Sequence, residues 1–225
     1  MNILAIDTST EACSAALLRE DGCVFAEYEL APRQHTRLLP KMMTTVIKVA
    51  GLPRSSITHC AFTNGPGAFT GVRIATSTAQ GIGVALKIPL VPISTLATLA
   101  QVSFDRQQGD STLVALDARM GEVYWAVYQR DERGLASLRG LEMLSKVNDV
   151  IVERTISQGA GHGWSVGQPV WSVEQSVAVD PDLLPDAQSL LKLAERAVHN
   201  GETCAPESIS INYLRNQVAE KSKKV

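Results

Sequence analysis

The chain is poorly supplied for redox, metal or membrane chemistry. Its four cysteines, Cys13, Cys23, Cys60 and Cys204, form no CxxC pair, and Cys13 and Cys60 sit inside apolar, strand-like runs. Buried free thiols are expected there. The four histidines, His35, His59, His162 and His199, are scattered, with no pair at metal-ligand spacing. No long run of one charge sign exists: 21 basic residues stand against 23 acidic ones, a net charge of −2. Only Lys221, Lys223 and Lys224 cluster, and these read as a solvated tail. Electrostatic binding of RNA or DNA by the chain alone is therefore excluded. The longest charge-free apolar stretch, 88–104, contains Pro89 and Pro92 and falls short of the ~20 residues of a membrane span. The start, MNILAIDTSTEACS, lacks a basic region, and Asp7 interrupts it too early for a signal peptide. A cytoplasmic protein without metal, cofactor or membrane contact is expected.

What is present is an ordinary globular composition, 45% hydrophobic and 20% charged over 225 residues. Strands are expected at 1–7, 12–18, 23–30, 57–63 and 90–93, and helices at 34–50, 71–86 and from the Ser94 cap to Phe104. The polar stretch 105–110 reads as a linker. The pattern then restarts. LAIDTSTEACSAAL from Leu4 to Leu17 aligns without gaps on VALDARMGEVYWAV from Val114 to Val127, so Asp7 matches Asp117. "Strand, Asp, turn, strand" recurs by chance in some chains, but here the repeat halves the chain and follows a linker, which favours duplication. The fold class is α/β, with two lobes on one plan: 1–104, the linker 105–110, and 111–225, with 206–220 packing back on the first lobe. Further helices are expected at Lys146–Ser157 and Ala187–Asn200.

Strand-ending aspartates beside hairpin turns are how phosphate-clamping ATPases face a metal-bound nucleotide. These turns suit that work poorly. Thr8-Ser9-Thr10-Glu11 has no glycine and an acid that repels phosphate, and Ala118-Arg119-Met120-Gly121 has one glycine. Capping of the turns by Asp7 and Asp117 is the favoured reading. The most specific segment is Asn64-Gly-Pro-Gly-Ala-Phe-Thr-Gly-Val-Arg73, between a strand and a helix. Asp7, Thr8 and Ser9 with Gly65, Gly67, Thr70, Gly71 and Arg73 form candidate anion- or nucleotide-facing loops. The segment matches neither a P-loop nor a dinucleotide fingerprint, and a rigid connector between lobes or chains is the other reading. Gly159-Ala-Gly-His-Gly-Trp164 also fails the dinucleotide fingerprint and reads as a loop.

Helix 34–50 carries two apolar stripes, Leu38, Met42 and Val49 on one and Leu39, Met43, Val46 and Ala50 on the other. A single stripe suffices for packing on one core, so the surplus reads as full burial or a partner surface. Helix 71–86 supplies Ala75, Thr78, Ala79 and Ile82 among small residues that permit close helix approach. His35 has no companion at catalytic spacing, and no nucleophile elbow surrounds Ser9 or Ser14.

Together ILAIDTSTEACSAAL, PRQHTRLLP, NGPGAFTGVRIATSTAQGIG, ALDARMGEVYWAVYQRDE and INYLRNQVA closely resemble the bacterial TsaB family, formerly YeaZ. The resemblance is strongest over the first 130 residues. It implies a fold of the sugar-kinase, Hsp70 and actin type. It also implies a role in making threonylcarbamoyladenosine beside the anticodon of tRNAs that read codons starting with A. TsaB is there the partner of the catalytic subunit TsaD, together with the ATPase TsaE. TsaD itself has an Asn-His-x-x-Gly-His metal motif. Thr95 and Leu99 stand at the matching histidine positions, where no metal pair is possible. His35 matches a histidine that TsaD also has, and is assigned a structural hydrogen bond.

The resemblance implies a noncatalytic scaffold with no cofactor, reaching tRNA only through the complex and forming a homodimer when TsaD is absent. The expected partner surface is Leu38, Leu39, Met42, Met43, Val46, Ala75, Thr78, Ala79 and Ile82, one stripe of the first helix facing the partner and the other the core. An ATP-dependent small-molecule kinase of the same fold is the alternative reading, and a peptidase acting on TsaD a weaker one.

Overall fold

The computed structural model describes residues 1–215; the tail Lys221, Lys223 and Lys224 and the end of segment 206–220 lie outside the described residues. Chain order begins with β1 (Ile3–Asp7), β2 (Ala12–Leu18), β3 (Val24–Leu30), α1 (His35–Val49), β4 (His59–Thr63), α2 (Phe69–Leu86), β5 (Leu90–Ile93) and α3 (Thr95–Arg106). Next come β6 (Ser111–Arg119), β7 (Glu122–Arg130), β8 (Ala136–Lys146), β9 (Ile151–Val152), β10 (Gln158–Ala160), β11 (Val170–Trp171), β12 (Ala178–Asp180) and α4 (Ala187–His199).

Two five-stranded mixed sheets carry the fold, ordered β3-β2-β1-β4-β5 and β12-β10-β6-β7-β8. In each, an antiparallel meander is extended by two parallel strands beside its first strand. Identical order and sense establish the duplicated two-lobe plan of the sugar-kinase, Hsp70 and actin type. The copies differ by one residue. Asp7 pairs with Ser14, whereas Asp117 pairs with Val123 rather than with Tyr124, which the gapless alignment requires. A one-residue slip moves every following side chain to the other face. Cys13, Ala15 and Leu17 of β2 accordingly face the α1–α2 core, while Val123 and Val127 of β7 face away from α3.

Each central strand is apolar on both faces because both are covered. On the first sheet Leu4, Ile6, Cys60 and Phe62 meet α1 and α2, and Ile3, Ala5 and Ala61 meet Leu190, Leu191 and Ala194 of α4. On the second sheet Val114, Leu116, Ala126 and Tyr128 meet Leu96, Leu99 and Val102 of α3. Thus α3, from the first half of the chain, serves the second sheet's core, and α4 the first's. Ser94 caps α3 by accepting from the Leu96 and Ala97 amides, and Asp186 caps α4 through Ser189 N–H. Arg196 of α4 pairs with Asp131 and Lys192 with Asp105, tying that helix to the β7–β8 connection and to α3.

The expected helix at Lys146–Ser157 does not form. β8 runs to Lys146, a 3₁₀ turn spans Val147–Asp149, and β9 follows. Val147, Val150, Val152, Thr155 and Ile156 are β-branched and stiff at χ1, which disfavours a helix. Val150, Val152 and Ile156 instead cover the outer face of the second sheet with Trp164. α3 also continues two residues beyond Phe104, leaving 107–110 as the connector. Segment 206–215 touches both lobes rather than the first alone, because side chains from each reach it.

α2 separates two kinds of glycine. A Cβ on Gly71 would lie 1.9 Å from the Thr8 carbonyl oxygen, whereas Gly81 has nothing within 4 Å. Gly71→Ala is expected to destabilise the chain by roughly 3 kcal/mol or more. Gly81→Ala, which removes only helix entropy, should stabilise it by about 0.5–1 kcal/mol. Urea unfolding of both variants checks the pair, and equal effects would contradict the packing described.

Candidate functional site

Two regions collect the residues singled out in the sequence: the β1–β2 turn with its neighbouring loop, and the outer side of α1 and α2. The turn is sealed. Asp7, Thr8 and Ser9 are fully buried, so they do not face a nucleotide. The cause lies in Gly67 and Gly71, whose missing side chains let the loop press on the turn: a Cβ on Gly67 would lie 2.5 Å from the Ser9 carbonyl oxygen. Ala68 N–H donates to that same oxygen at 2.8 Å, and the Thr8 hydroxyl donates to the Gly71 carbonyl at 2.7 Å. Anion-directed groups are thereby spent on each other. Gly65 is also buried, while Thr70 and Arg73 are exposed at the outer edge. There the Arg73 guanidinium lies 3.6 Å from the centre of the Phe69 ring, and its Nε donates to Tyr213 Oη at 3.1 Å.

Both aspartates cap their own turns, Asp7 at the end of β1 and Asp117 two residues before the end of β6. Asp7 Oδ1 accepts from Ser9 N–H at 3.0 Å, from Ser9 Oγ at 2.6 Å, and from the Thr63 hydroxyl. Its Oδ2 has no partner. Burial raises the Asp7 pKa above 3.8, against the opposing pull of those hydrogen bonds. Asp117 Oδ1 accepts from Arg119 N–H at 2.7 Å and its Oδ2 from the Arg119 guanidinium at 2.9 Å.

Between the lobes lies a cleft of about 490 Å³, reached by Glu11, Phe69, Thr70, Asp117, His162 and Tyr213. His162 was invisible as a site residue in the sequence. Gly161 and Gly163 deliver it, since a Cβ on either would lie 2.4 to 2.6 Å from backbone atoms of Ala115. Asp117 N–H donates to His162 Nδ1 at 3.0 Å, so Nδ1 is unprotonated and Nε2 faces Glu11 at 3.7 Å. Burial lowers the His162 pKa, opposed by Glu11 and Asp117. The flanking glycines were the one signal available.

The partner-surface list divides sharply. Leu38, Leu39, Met42, Val46, Ala75 and Ala79 are all buried in the first core, which corrects their assignment as contact residues. Members of both stripes are buried because α1 packs on the sheet with α2 at its flank, and a helix so placed covers a wide arc. Met43, Thr78 and Ile82 stay partly open, as do Ile47 and Ile74. His35 is buried, its Nε2 3.2 Å from the Ala12 carbonyl oxygen. Thr95 and Leu99 are fully buried in α3, with Leu99 in the second lobe's core. One hydroxyl and one aliphatic side chain do not fit a metal. Among the described residues no group of three or more His, Cys, Asp or Glu is placed to hold one, and no helix is long and apolar enough to cross a membrane.

The family model described as "TsaD: tRNA N6-adenosine threonylcarbamoyltransferase" matches residues 25–222. The chain is 40% identical over 228 residues to the Escherichia coli tRNA threonylcarbamoyladenosine biosynthesis protein TsaB, covering 98% of this chain and 97% of the relative. The Haemophilus influenzae protein of the same name is 32% identical, with 98% and 96% covered. The structure of YeaZ from Pseudomonas aeruginosa matches with a TM-score of 0.88 at 40% identity, over 95% of this chain and 99% of that one. Another Pseudomonas aeruginosa structure, of an uncharacterised protein with similarity to the peptidase YeaZ, matches with a TM-score of 0.89 at 41% identity over the same shares.

A buried acid with a raised pKa binds more protons folded than unfolded once pH exceeds 3.8, so its contribution to stability falls as pH rises from there. Asparagine keeps the accepting oxygen and removes the ionisation. Asp7→Asn is expected to match or exceed the parent chain's stability at pH 7, with its advantage growing as pH rises above 3.8. Asp7→Ala, which orphans the Ser9 and Thr63 donors, should lose about 1–3 kcal/mol. Thermal melts across pH decide this, and a pH-independent difference between Asp7→Asn and the parent would refute the raised Asp7 pKa.

Proposed function

Because the chain belongs to the TsaB family, we propose that it serves tRNA threonylcarbamoyladenosine biosynthesis as a noncatalytic subunit in the cytoplasm. In this reading it scaffolds and activates TsaD, works with TsaE, reaches tRNA only through the complex, and pairs with itself when TsaD is absent. The observation that carries the noncatalytic part is the sealed β1–β2 turn. Its amide-accepting carbonyl and its hydroxyl are bound to the chain's own loop, and its carboxyl is buried and accepts from Ser9 and Thr63. The buried Thr95 and Leu99 support the same reading, since a transferase metal has no ligands there.

The partner surface is narrower than the apolar stripes suggest. It comprises Met43 and Ile47 on α1 with Ile74, Thr78 and Ile82 on α2, half-buried apolar and small side chains above the packed core. Such residues gain further burial from a helical partner without exposing the core first. A kinase of the same fold would require phosphate access to the β1–β2 turn, which the loop occupies. Retention of a magnesium nucleotide or steady ATP turnover by the isolated chain would contradict the scaffold reading.

Met42 and Met43 separate fold from partner binding. Met42 is 6% exposed within the core, so Met42→Glu buries an unpaired charge and should unfold the protein. Met43→Glu is expected to keep the native melt yet lose TsaD affinity by about a hundredfold or more, from a cost of several kcal/mol. Thr78→Arg should behave like Met43→Glu. Ala75→Arg, at a fully buried position, should unfold instead. Circular dichroism melts paired with TsaD pull-downs check all four. Native melts with undiminished TsaD capture for both Met43→Glu and Thr78→Arg would place the partner elsewhere.

A further inference from the structure

The rim of the interlobe cleft is rich in hydrogen-bond acceptors. The Asn64 carbonyl belongs to the first lobe, and the Ala118 carbonyl, Glu122 and Glu142 to the second. Glu11 and Asp117 add two more carboxylates inside. The segment that meets them comes from the chain's own C-terminal part. It leaves a 3₁₀ turn at Pro206–Ser208, which is anchored on α2 by Gln80 Nε2 donating to the Pro206 carbonyl at 2.9 Å. Residues 211–215 then line the cleft. Asn212 N–H donates to the Asn64 carbonyl at 2.8 Å and Asn212 Nδ2 to Glu142 Oε2 at 3.0 Å, one residue bonding both lobes. The Arg215 guanidinium reaches Glu122 at 2.5 Å and the Ala118 carbonyl at 3.0 Å. Tyr213 Oη accepts from Arg73 on the first lobe.

We propose that residues 209–215 form a latch that closes one wall of the interlobe cleft, a donor-bearing peptide that holds the two lobes together and opens without global unfolding. The chemical match is specific. Asn212 and Arg215 supply donors where the rim supplies acceptors. Removing the segment would strip Glu122 of Arg215 and Glu142 of the Asn212 amide, while Asp117 keeps Arg119. The latch is releasable because among the described residues a single backbone hydrogen bond, from Asn212 to Asn64, joins residues 209–215 to the rest of the chain. Everything else is side-chain contact, the kind of segment that opens locally without global unfolding. Its anchor at Pro206 keeps the local concentration high, so modest contacts suffice to close it. None of this depends on TsaD being the partner.

Trypsin reports the latch, because its cleavage after Arg215 requires that side chain to leave Glu122. In the full chain, Glu122→Gln weakens the direct hold on Arg215, and Glu142→Gln alters the second lobe at Asn212, away from the cleavage site. Each is expected to speed cleavage at Arg215 by about tenfold, since proteolysis tracks the open population. Each should also speed hydrogen exchange in the first-lobe loop 65–70 while leaving β1 and β6 as protected as before. That cross-lobe response is what a merely local contact would not produce. Unchanged cleavage in both variants overturns the proposal, as does faster cleavage with the loop 65–70 unaltered. Glu142 also binds Ser94 and Tyr128. Should Glu142→Gln expose β1 and β6, Glu122→Gln decides the outcome alone.

Discussion

The seating of the loop 65–70 directly on the β1–β2 turn is the constraint from which the rest of the first lobe follows. It is possible only where Gly67 and Gly71 lack side chains, because a Cβ at either would overlap the Ser9 or Thr8 carbonyl. Once seated, the loop takes over the turn's carbonyl and hydroxyl, drives water away from Asp7 and raises the pKa of that carboxyl. The same residue types at the same places in the chain would, a few ångströms further apart, form a phosphate cradle. Contact converts the cradle into a brace. A brace fixes the first turn of α2, and with it the side chains that α1 and α2 turn outward.

The second lobe repeats the plan with fewer parts. It keeps the sheet order but loses the helix that corresponds to α1, and covers that face with β-branched residues and the tryptophans Trp164 and Trp171, stacked at 6.1 Å. Its independence is further reduced by the exchange of α3 and α4, each supplied by one half of the chain to the sheet of the other. The halves are therefore joined in the middle by helices and at the rim by residues 209–215. A molecule so braced suits a fixed surface better than a closing active site, which requires its lobes to move.

The repeat was legible because strand hydropathy, Asp and turn recur in fixed order, and the structure shows the same sheet twice. The single-residue slip in β7 was not legible. Strands apolar on both faces read the same in either register, so hydropathy carries no information about which face a residue takes. The stripes of α1 misled for a related reason: apolar width shows that much is buried, and says nothing of whether the cover is the same chain or another. Leu38, Leu39, Met42 and Val46 turned out to be covered from within, leaving Met43 as the open neighbour. The absent helix at 146–157 reflects tertiary demand, since the second sheet required flat β-branched cover there. The functional meaning of His162, Glu142 and Arg215 arises from contacts across 45, 70 and 97 positions of sequence, which no local pattern encodes.

Reconstitution tests the account most directly. Purified TsaD, TsaE, threonylcarbamoyl-AMP and unmodified tRNA are combined with and without this chain, and threonylcarbamoyladenosine is counted by mass spectrometry of the digested tRNA. The account predicts no product from the chain without TsaD, little from TsaD without the chain, and full modification from the two together, undiminished when the chain carries Asp7→Asn. Product formed by the chain in the absence of TsaD, or lost with Asp7→Asn while the complex stays intact, would contradict it.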